Sequence, residues 1–168
     1  MADLQKLKPA FEKDGTITAG NSSQITDGAA MALITNEAEA KKRGWPVLAR
    51  IMAHTAFGVE PKELFIAPVG AIRSVVAKAG WQMKDVDLFE INEAFAAQML
   101  ACMRQLEIPH DRVNVLGGAI ALGHPIGASG TRVLATLINA LEVQGLKRGV
   151  ASLCLGGGNA VAMAIEVP

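Results

Sequence analysis

Residues 117–130 read GGAIALGHPIGASG, a segment with five glycines that joins a short apolar run to a helical pattern. The apolar run, residues 113–116, predicts a short strand, and the helical pattern ends at Gly145, a residue typical of helix C-termini. Glycines in the connecting loop would let the backbone approach a bound molecule closely. The segment therefore predicts a strand, a loop open to a ligand, and a helix.

The same alternation continues on both sides of this segment. Upstream, residues 47–55 and 86–91 are strand-like. The first precedes a helix that Gly80 ends, and the second precedes a helix for which Asn92 is a good N-cap. Downstream, residues 150–155 and 160–167 are strand candidates joined by glycines that predict a tight hairpin. Strands that alternate with helices and end in a hairpin predict the α/β class, with a mixed sheet covered by helices.

The first 45 residues follow a different pattern. Residues 1–27 are polar and rich in turn residues, which is typical of an arm or loop. Residues 28–35 form an apolar run of strand length, and Asn36 with Glu39 predicts the start of a short helix that ends at Gly44. We place a boundary near residues 44–46, which divides the chain into 1–45 and 46–168.

Composition argues against several classes of partner. The 16 Lys and Arg residues balance the 16 Asp and Glu residues without long runs of like charge, so neither nucleic acid nor an anionic membrane is an expected partner. Neither a signal-peptide pattern nor a membrane-spanning apolar run occurs, which predicts a cytoplasmic protein. Two cysteines are too few for a disulfide framework and predict reduced thiols.

Three segments carry polar residues directly after predicted strands: residues 92–95 (NEAF), the loop 117–130, and residues 154–158 (CLGGG). In sheets flanked by helices, ligands bind in the crevice outside the carboxyl ends of the strands. His124, Asn92 and Cys154 are therefore candidates for chemistry, and the N–H groups after Cys154 could surround a thiolate or an oxyanion. Each also has a structural interpretation: a loop histidine bonded to a carbonyl, a helix cap, and a packed strand residue, respectively.

Other common sites do not fit these residues. The loop matches neither the dinucleotide fingerprint nor the phosphate loop, and Ser129 lacks the glycine that a nucleophile elbow requires two positions on. The cysteines and histidines show no metal-ligand spacing, so no metal site is expected. Cys102 lies on an apolar helical stripe and is predicted to pack in the core.

The three segments, in this order, resemble the three C-terminal signatures of the thiolase family. The resemblance also covers residues 8–11 (KPAF) and 15–23 (GTITAGNSS), and so nearly the whole chain. It implies that residues 46–168 form a C-terminal thiolase domain, a thiolase-like fold with a five-stranded mixed sheet flanked by helices. Residues 1–45 then correspond to the end of a loop domain and to the last strand and helix of an N-terminal thiolase domain.

The resemblance also implies a role for each candidate in acyl-coenzyme A (CoA) chemistry. His124 would deprotonate an acyl-accepting cysteine and help hold the thioester oxygen, while Asn92 would fix a water in the same oxyanion site. Cys154 would be the acid and base at the α-carbon, and the backbone N–H of Gly156 would help stabilise the acyl intermediate. A cationic imidazole nearby is expected to lower the pKa of Cys154.

By the same resemblance, the substrate is a CoA thioester, so no separate cofactor is expected. The residues expected to contact this substrate are Ser23, Phe11, Ala94, Phe95 and Leu122. Residues 64–70 (LFIAPVG) depart from the Gly-Pro-x-Pro pattern of many biosynthetic thiolases, which leaves the acyl-chain preference open.

The nucleophilic cysteine of the family belongs to an N-terminal domain, and neither cysteine of this chain matches its motif. The expected function is that of a thiolase part, which condenses acyl-CoA or cleaves 3-oxoacyl-CoA once an N-terminal half completes it and is inactive alone. The expected protein partner is that half or a second copy of the chain, because the apolar run 28–35 needs a neighbour. The alternatives are a non-catalytic CoA-binding or assembly module, and a ketoacyl-synthase relative, which the cysteine at position 154 disfavours.

Overall fold

A computed structural model describes residues 2–168, which contain five α-helices and four strands besides short 3₁₀ turns. In chain order these elements are α1 (Glu37–Arg43), β1 (Arg50–Gly58), α2 (Ala67–Lys78), β2 (Leu88–Ile91), α3 (Ala96–Leu106), α4 (Ala119–Leu122), α5 (Ser129–Gln144), β3 (Arg148–Leu155) and β4 (Asn159–Glu166). The strands form one sheet in the order β1-β4-β3-β2. Only β2 and β3 run parallel, so the sheet is mixed and the α/β prediction is confirmed.

The sheet has four strands, so the expectation of five is wrong. The missing strand is residues 113–116, where Val113 makes a single parallel bridge to Phe89. Asn114 then adopts φ 48°, in the left-handed region, and its side-chain amide bonds both backbone groups of Ile91, at 2.9 Å to N and 2.8 Å to O. The side chain thus takes the ladder partners that a continuing strand would need, and the backbone turns away.

Helices cover both faces of the sheet, each with its own apolar cluster. One cluster joins α2 and α3 to the sheet through residues such as Ile72, Val75 and Cys102, all fully buried. The other joins α5 to the opposite face through Leu137 and Leu141. Within residues 2–168, no helix is both long enough and apolar enough to cross a bilayer.

The hairpin between β3 and β4 is confirmed, with Gly157 and Gly158 at φ 80° and 85°. A β-carbon on Gly158 would lie 2.4 Å from the carbonyl oxygen of Val59, so this turn needs glycine for both conformation and space. Strand β1 begins and ends about three residues later than the predicted range, residues 47–55, because its pairing with β4 continues to Gly58, opposite Asn159.

The first 45 residues match their predictions in part. Helix α1 begins where expected, since Asn36 Oδ1 accepts a 2.8 Å hydrogen bond from the Glu39 N–H, and it ends at Gly44 with φ 67°. Residues 28–35 are not in a strand of this structure and have no ladder partner among residues 2–168, so the strand, whose expected neighbour lies outside this chain, stays a prediction. The side chains of Met31, Leu33 and Ile34 are 95%, 76% and 68% exposed, so the segment is an uncovered apolar stretch.

Candidate active site

The parallel pair β2 and β3 brings two of the three motifs to one edge of the sheet. Ile91 is opposite Ser152 in the ladder, and the Asn92 N–H donates to the Ser152 carbonyl at 2.9 Å. Asn92 therefore lies just past the carboxyl end of β2, and Cys154 lies two residues further along β3. Both residues reach the edge at which ligands bind in sheets of this kind.

Asn92 is a buried polar link and not a helix cap, so that structural interpretation is wrong. Residues 92–95 precede α3, whose N-cap position is Phe95, with no side-chain cap bond. The Asn92 side chain is 1% exposed, and its Nδ2 contacts His124 Nε2 at 3.2 Å while its Oδ1 accepts from Arg132 Nη2 at 3.3 Å. A guanidinium only donates, so Arg132 determines which end of the amide points to His124.

His124 is held as a neutral imidazole with its lone pair on Nε2. Its Nδ1 lies 2.6 Å from Ser129 Oγ, which itself donates to the Pro125 carbonyl at 3.0 Å, so Nδ1 carries the proton. Burial, and then the charge of Arg132, lower the pKa of His124 from its ordinary value of 6.5. Neither ring partner is a backbone carbonyl, so the interpretation as a carbonyl-bonded loop histidine is wrong. The arrangement can accept a proton at Nε2.

Glu93 ties the first motif to the glycine-rich loop. Its carboxylate Oε2 accepts a 3.0 Å hydrogen bond from the Ile120 N–H, in the first turn of α4. A β-carbon on Gly118 would lie 2.2 Å from that oxygen, so only glycine leaves room for this bond. The motif 92–95 thus fixes the loop at its start through Glu93 and at His124 through Asn92.

The N-terminal arm contacts both motifs. The Ser23 N–H donates to the Ala94 carbonyl at 2.9 Å, and the His124 N–H donates to the Gln24 carbonyl at 3.1 Å. Gly123, at φ 94°, lies so close to the arm that a β-carbon there would be 2.1 Å from Thr26 Oγ1. Residues 23–26 therefore position the backbone of His124 and of Gly123, the residue before it.

The expected substrate-contacting residues do not all lie together. The Phe95 ring packs edge-on with the ring of Phe11, at 5.9 Å between centroids, and Ser23 bonds Ala94 as described. Phe11 is 71% exposed, and Leu122, at the end of α4, is 53% exposed. Four of the five residues thus form one surface where the arm meets α3, while Leu122 belongs to the glycine-rich loop.

Cys154 is half-buried at the end of β3, and its pKa is raised, chiefly by burial. The expectation of a pKa lowered by a cationic imidazole is wrong, because burial is the largest influence on this thiol and disfavours the thiolate. Within residues 2–168, no hydrogen bond joins Cys154 to His124 or Asn92, so their convergence in one cleft stays a prediction. Gly156 follows in the hairpin with open space on its side-chain position, which leaves its backbone accessible.

Cys102 packs in the core, as predicted. It is fully buried on α3, its sulfur lies 3.5 Å from the Phe65 carbonyl, and burial raises its pKa to about 11. A thiol in this environment is protonated at neutral pH and out of reach of solvent.

Two residues of the site were not predicted. Glu90, on β2, is 2% exposed, and burial raises its pKa to about 7 although Arg132 opposes the rise. Arg132, in the first turn of α5, lies 3.9 Å from Glu90 between Nη1 and Oε2. The available signal was Glu90 itself, a charged residue in the middle of an apolar strand and on the same strand face as Asn92.

Comparison with known proteins extends this description. The profile of the thiolase C-terminal domain matches residues 45–167, and that of the N-terminal domain matches residues 1–38. Acetyl-CoA acetyltransferase of Chromobacterium violaceum is 53% identical over 165 residues, which are 98% of this chain and 42% of that protein. The chain therefore spans less than half the length of this relative.

Solved structures agree with the sequence comparison. The crystal structure of the Bacillus anthracis acetyl-CoA acetyltransferase is similar with a TM-score of 0.97 at 48% identity, over 99% of this chain and 42% of that one. Human mitochondrial 3-ketoacyl-CoA thiolase in complex with CoA is similar with a TM-score of 0.92 at 43% identity and the same coverage. Sequence profiles, identity and fold together place this chain in the thiolase family.

Proposed function

We propose that the chain supplies one part of a thiolase active site, which condenses acyl-CoA or cleaves 3-oxoacyl-CoA once a region carrying the nucleophilic cysteine completes it. The observation that carries the proposal is the Asn92–His124 contact at the sheet edge where β3 delivers Cys154. In this proposal residues 46–168 are the C-terminal domain, and residues 1–45 belong with the region that carries the nucleophilic cysteine.

His124 acts as the base for the nucleophilic cysteine. A neutral imidazole with an unprotonated Nε2 can take the thiol proton once the thiol replaces the Asn92 NH2 group as its neighbour, and both the hydrogen bonds and the lowered pKa of His124 favour that form. Once Nε2 has taken the thiol proton, its N–H can donate to the thioester oxygen, beside a water that Asn92 fixes. The Gly156 N–H, in its open turn, stabilises the acyl intermediate.

Cys154 exchanges a proton with the α-carbon of the acetyl-CoA unit. Its raised pKa keeps the thiol protonated at neutral pH, so in cleavage it returns a proton to that carbon as the carbon–carbon bond breaks. In condensation the same group must first lose its proton and then take one from the α-carbon. Burial of the sulfur thus supports a resting state with the thiol protonated, which is the state that cleavage requires.

The substrate is a CoA thioester that lies along the surface formed by Phe11, Ser23, Ala94 and Phe95, with Leu122 nearer the reacting groups. Exposed apolar side chains at positions 11 and 122 support this placement, and the relative solved with CoA supports the class of substrate. We place the protein in the cytoplasm, where its two free thiols would stay reduced. Its protein partner is an N-terminal thiolase half or a second copy of the chain.

Thiolysis of acetoacetyl-CoA tests the proposal. The chain alone should show no turnover, and mixing it with the part of the Chromobacterium violaceum enzyme outside the matched region should produce turnover. His124→Ala and Cys154→Ser should abolish that turnover, while Cys102→Ala, in the core, should keep it. Binding of CoA by the mixture without any turnover would instead favour a non-catalytic CoA-binding module.

A further inference from the structure

A buried charged pair lies behind the Asn92–His124 contact and is not used by the proposed chemistry. Glu90 and Asn92 are two residues apart and so point to the same side of the sheet. Arg132 reaches both from α5, with Nη1 at 3.9 Å from Glu90 Oε2 and Nη2 at 3.3 Å from Asn92 Oδ1. Neither Glu90 oxygen has a hydrogen-bond partner within the described part of the chain, and Arg132 Nε and Nη1 also lack one. Such a pair is costly to bury, so its position needs an explanation.

The direction of the Asn92 amide depends on Arg132. An amide can present either its oxygen or its NH2 group to a neighbour, whereas a guanidinium only donates. With Oδ1 bound by Arg132 Nη2, the NH2 group must face His124, and the ring nitrogen opposite must accept. If the amide turned over, NH2 would face the guanidinium, and the oxygen would face a lone pair.

Glu90 explains why Arg132 stays in this position. The Arg132 side chain is 19% exposed, and Glu90 is the buried carboxylate that compensates its charge. Replacing either partner alone would leave the other as an uncompensated buried charge. Glu90 thus holds one Nη group of Arg132 at Asn92 by charge attraction, although the 3.9 Å between Arg132 and Glu90 is too long for a hydrogen bond.

We propose that Arg132, held by Glu90, is a positioning residue that fixes the Asn92 amide with its NH2 toward His124 and so keeps the acceptor nitrogen of the base at Nε2. The significance for acyl transfer rests on the proposed function. Ser129 contributes from the other side of the ring through Nδ1, so the tautomer is determined by two neighbours together. Loss of Arg132 then removes one of two constraints.

Nitrogen NMR of the imidazole rings tests this directly. In the 168-residue chain labelled with ¹⁵N-histidine at pH 8, the His124 signals should show a protonated Nδ1 and a bare Nε2. His54 and His110, which are exposed, serve as internal references. Asn92→Asp supplies the opposite signature, because a carboxylate can only accept and requires a proton on Nε2.

Arg132→Met should give His124 a measurable population with the proton on Nε2, and Arg132→Lys, which keeps a cationic donor, should restore the wild-type pattern. The double variant Glu90→Gln with Arg132→Met removes both charges, so it should fold even where Arg132→Met alone does not, and it should show a population of His124 with the proton on Nε2. An unchanged His124 pattern in the folded double variant would overturn the proposal, as would equal populations in the Met and Lys variants. The readout needs no substrate, so failure of the thiolysis assay would leave it intact.

Discussion

Replacing Gly118 by alanine tests the connection between the motif 92–95 and the glycine-rich loop. The added β-carbon would lie 2.2 Å from Glu93 Oε2 and 2.8 Å from its Cδ, distances that no real contact tolerates. Glu93 is only partly buried, so its carboxylate can swing toward solvent and relieve the clash. The Ile120 N–H would then lose its acceptor.

The magnitude follows from that lost bond. A hydrogen bond to a carboxylate contributes about 1.5–3 kcal/mol to the free energy of unfolding. Alanine also makes the unfolded chain less flexible, which offsets part of this, so the net loss of stability is about 1 to 2 kcal/mol. Gly127 is the matched control, because it lies in the same loop with nothing within 4 Å of an added β-carbon. Gly127→Ala should therefore leave the free energy of unfolding nearly unchanged.

Urea unfolding at pH 7 measures both variants, and a constant slope against urea would show that the unfolded states are comparable. In the Glu93→Ala background, Gly118→Ala should cost clearly less, because its two shortest contacts are gone and no bond remains to be lost. Equal costs of Gly118→Ala in the two backgrounds, or a cost no larger than that of Gly127→Ala, would refute the reasoning.

Three further predictions concern stability and thiol chemistry. Gly149→Ala places a β-carbon 2.7 Å from the Leu137 side chain in the core and should lower the free energy of unfolding by about 1–3 kcal/mol, whereas Gly130→Ala, with open space, should not; urea unfolding decides. Burial raises the pKa of Glu90 to about 7 from 4.5, so the folded chain binds more protons between these pH values and loses up to about 3 kcal/mol of stability as the pH rises through them. Glu90→Gln should lack this loss, and a stability difference from wild type that is equal at pH 5 and pH 8 would contradict it. Burial also raises the pKa of Cys154 above 9.0, so its alkylation by iodoacetamide should be slow at pH 7 and should still increase with pH at 9.0, and rapid alkylation at pH 7 would argue against a buried thiol.

Much of the fold was predictable because local pattern and tertiary packing agree. The apolar spacing around Ile72 and Val75 predicted α2, and both side chains are fully buried there. The glycines after Cys154 predicted the β3–β4 hairpin. The predicted strand at residues 113–116 failed because of a distant contact. The Asn114 side chain bonds Ile91 on another strand, and no local pattern around residues 113–116 indicates that contact.

The candidate site shows the same division. The motifs carry His124 and Asn92 in their own residues, so both could be proposed from sequence. Arg132 and Glu90 carry no motif of their own. Arg132 matters because it reaches Asn92, 40 residues away in the chain, and Glu90 matters because it lies beside Arg132. The prediction that Asn92 caps a helix was wrong for the same reason: a distant partner outweighs a local preference.

The central claim is that His124 activates a nucleophilic cysteine outside this chain, while Cys154 acts only afterwards, at the α-carbon. Mass spectrometry after incubation of the complemented enzyme with acetyl-CoA tests this division most directly. An acetyl group should appear on the complementary part with both wild-type and Cys154→Ser chains, and none should appear with His124→Ala. Acetylation of Cys154 itself, or full acetylation of the complementary part with His124→Ala, would contradict it.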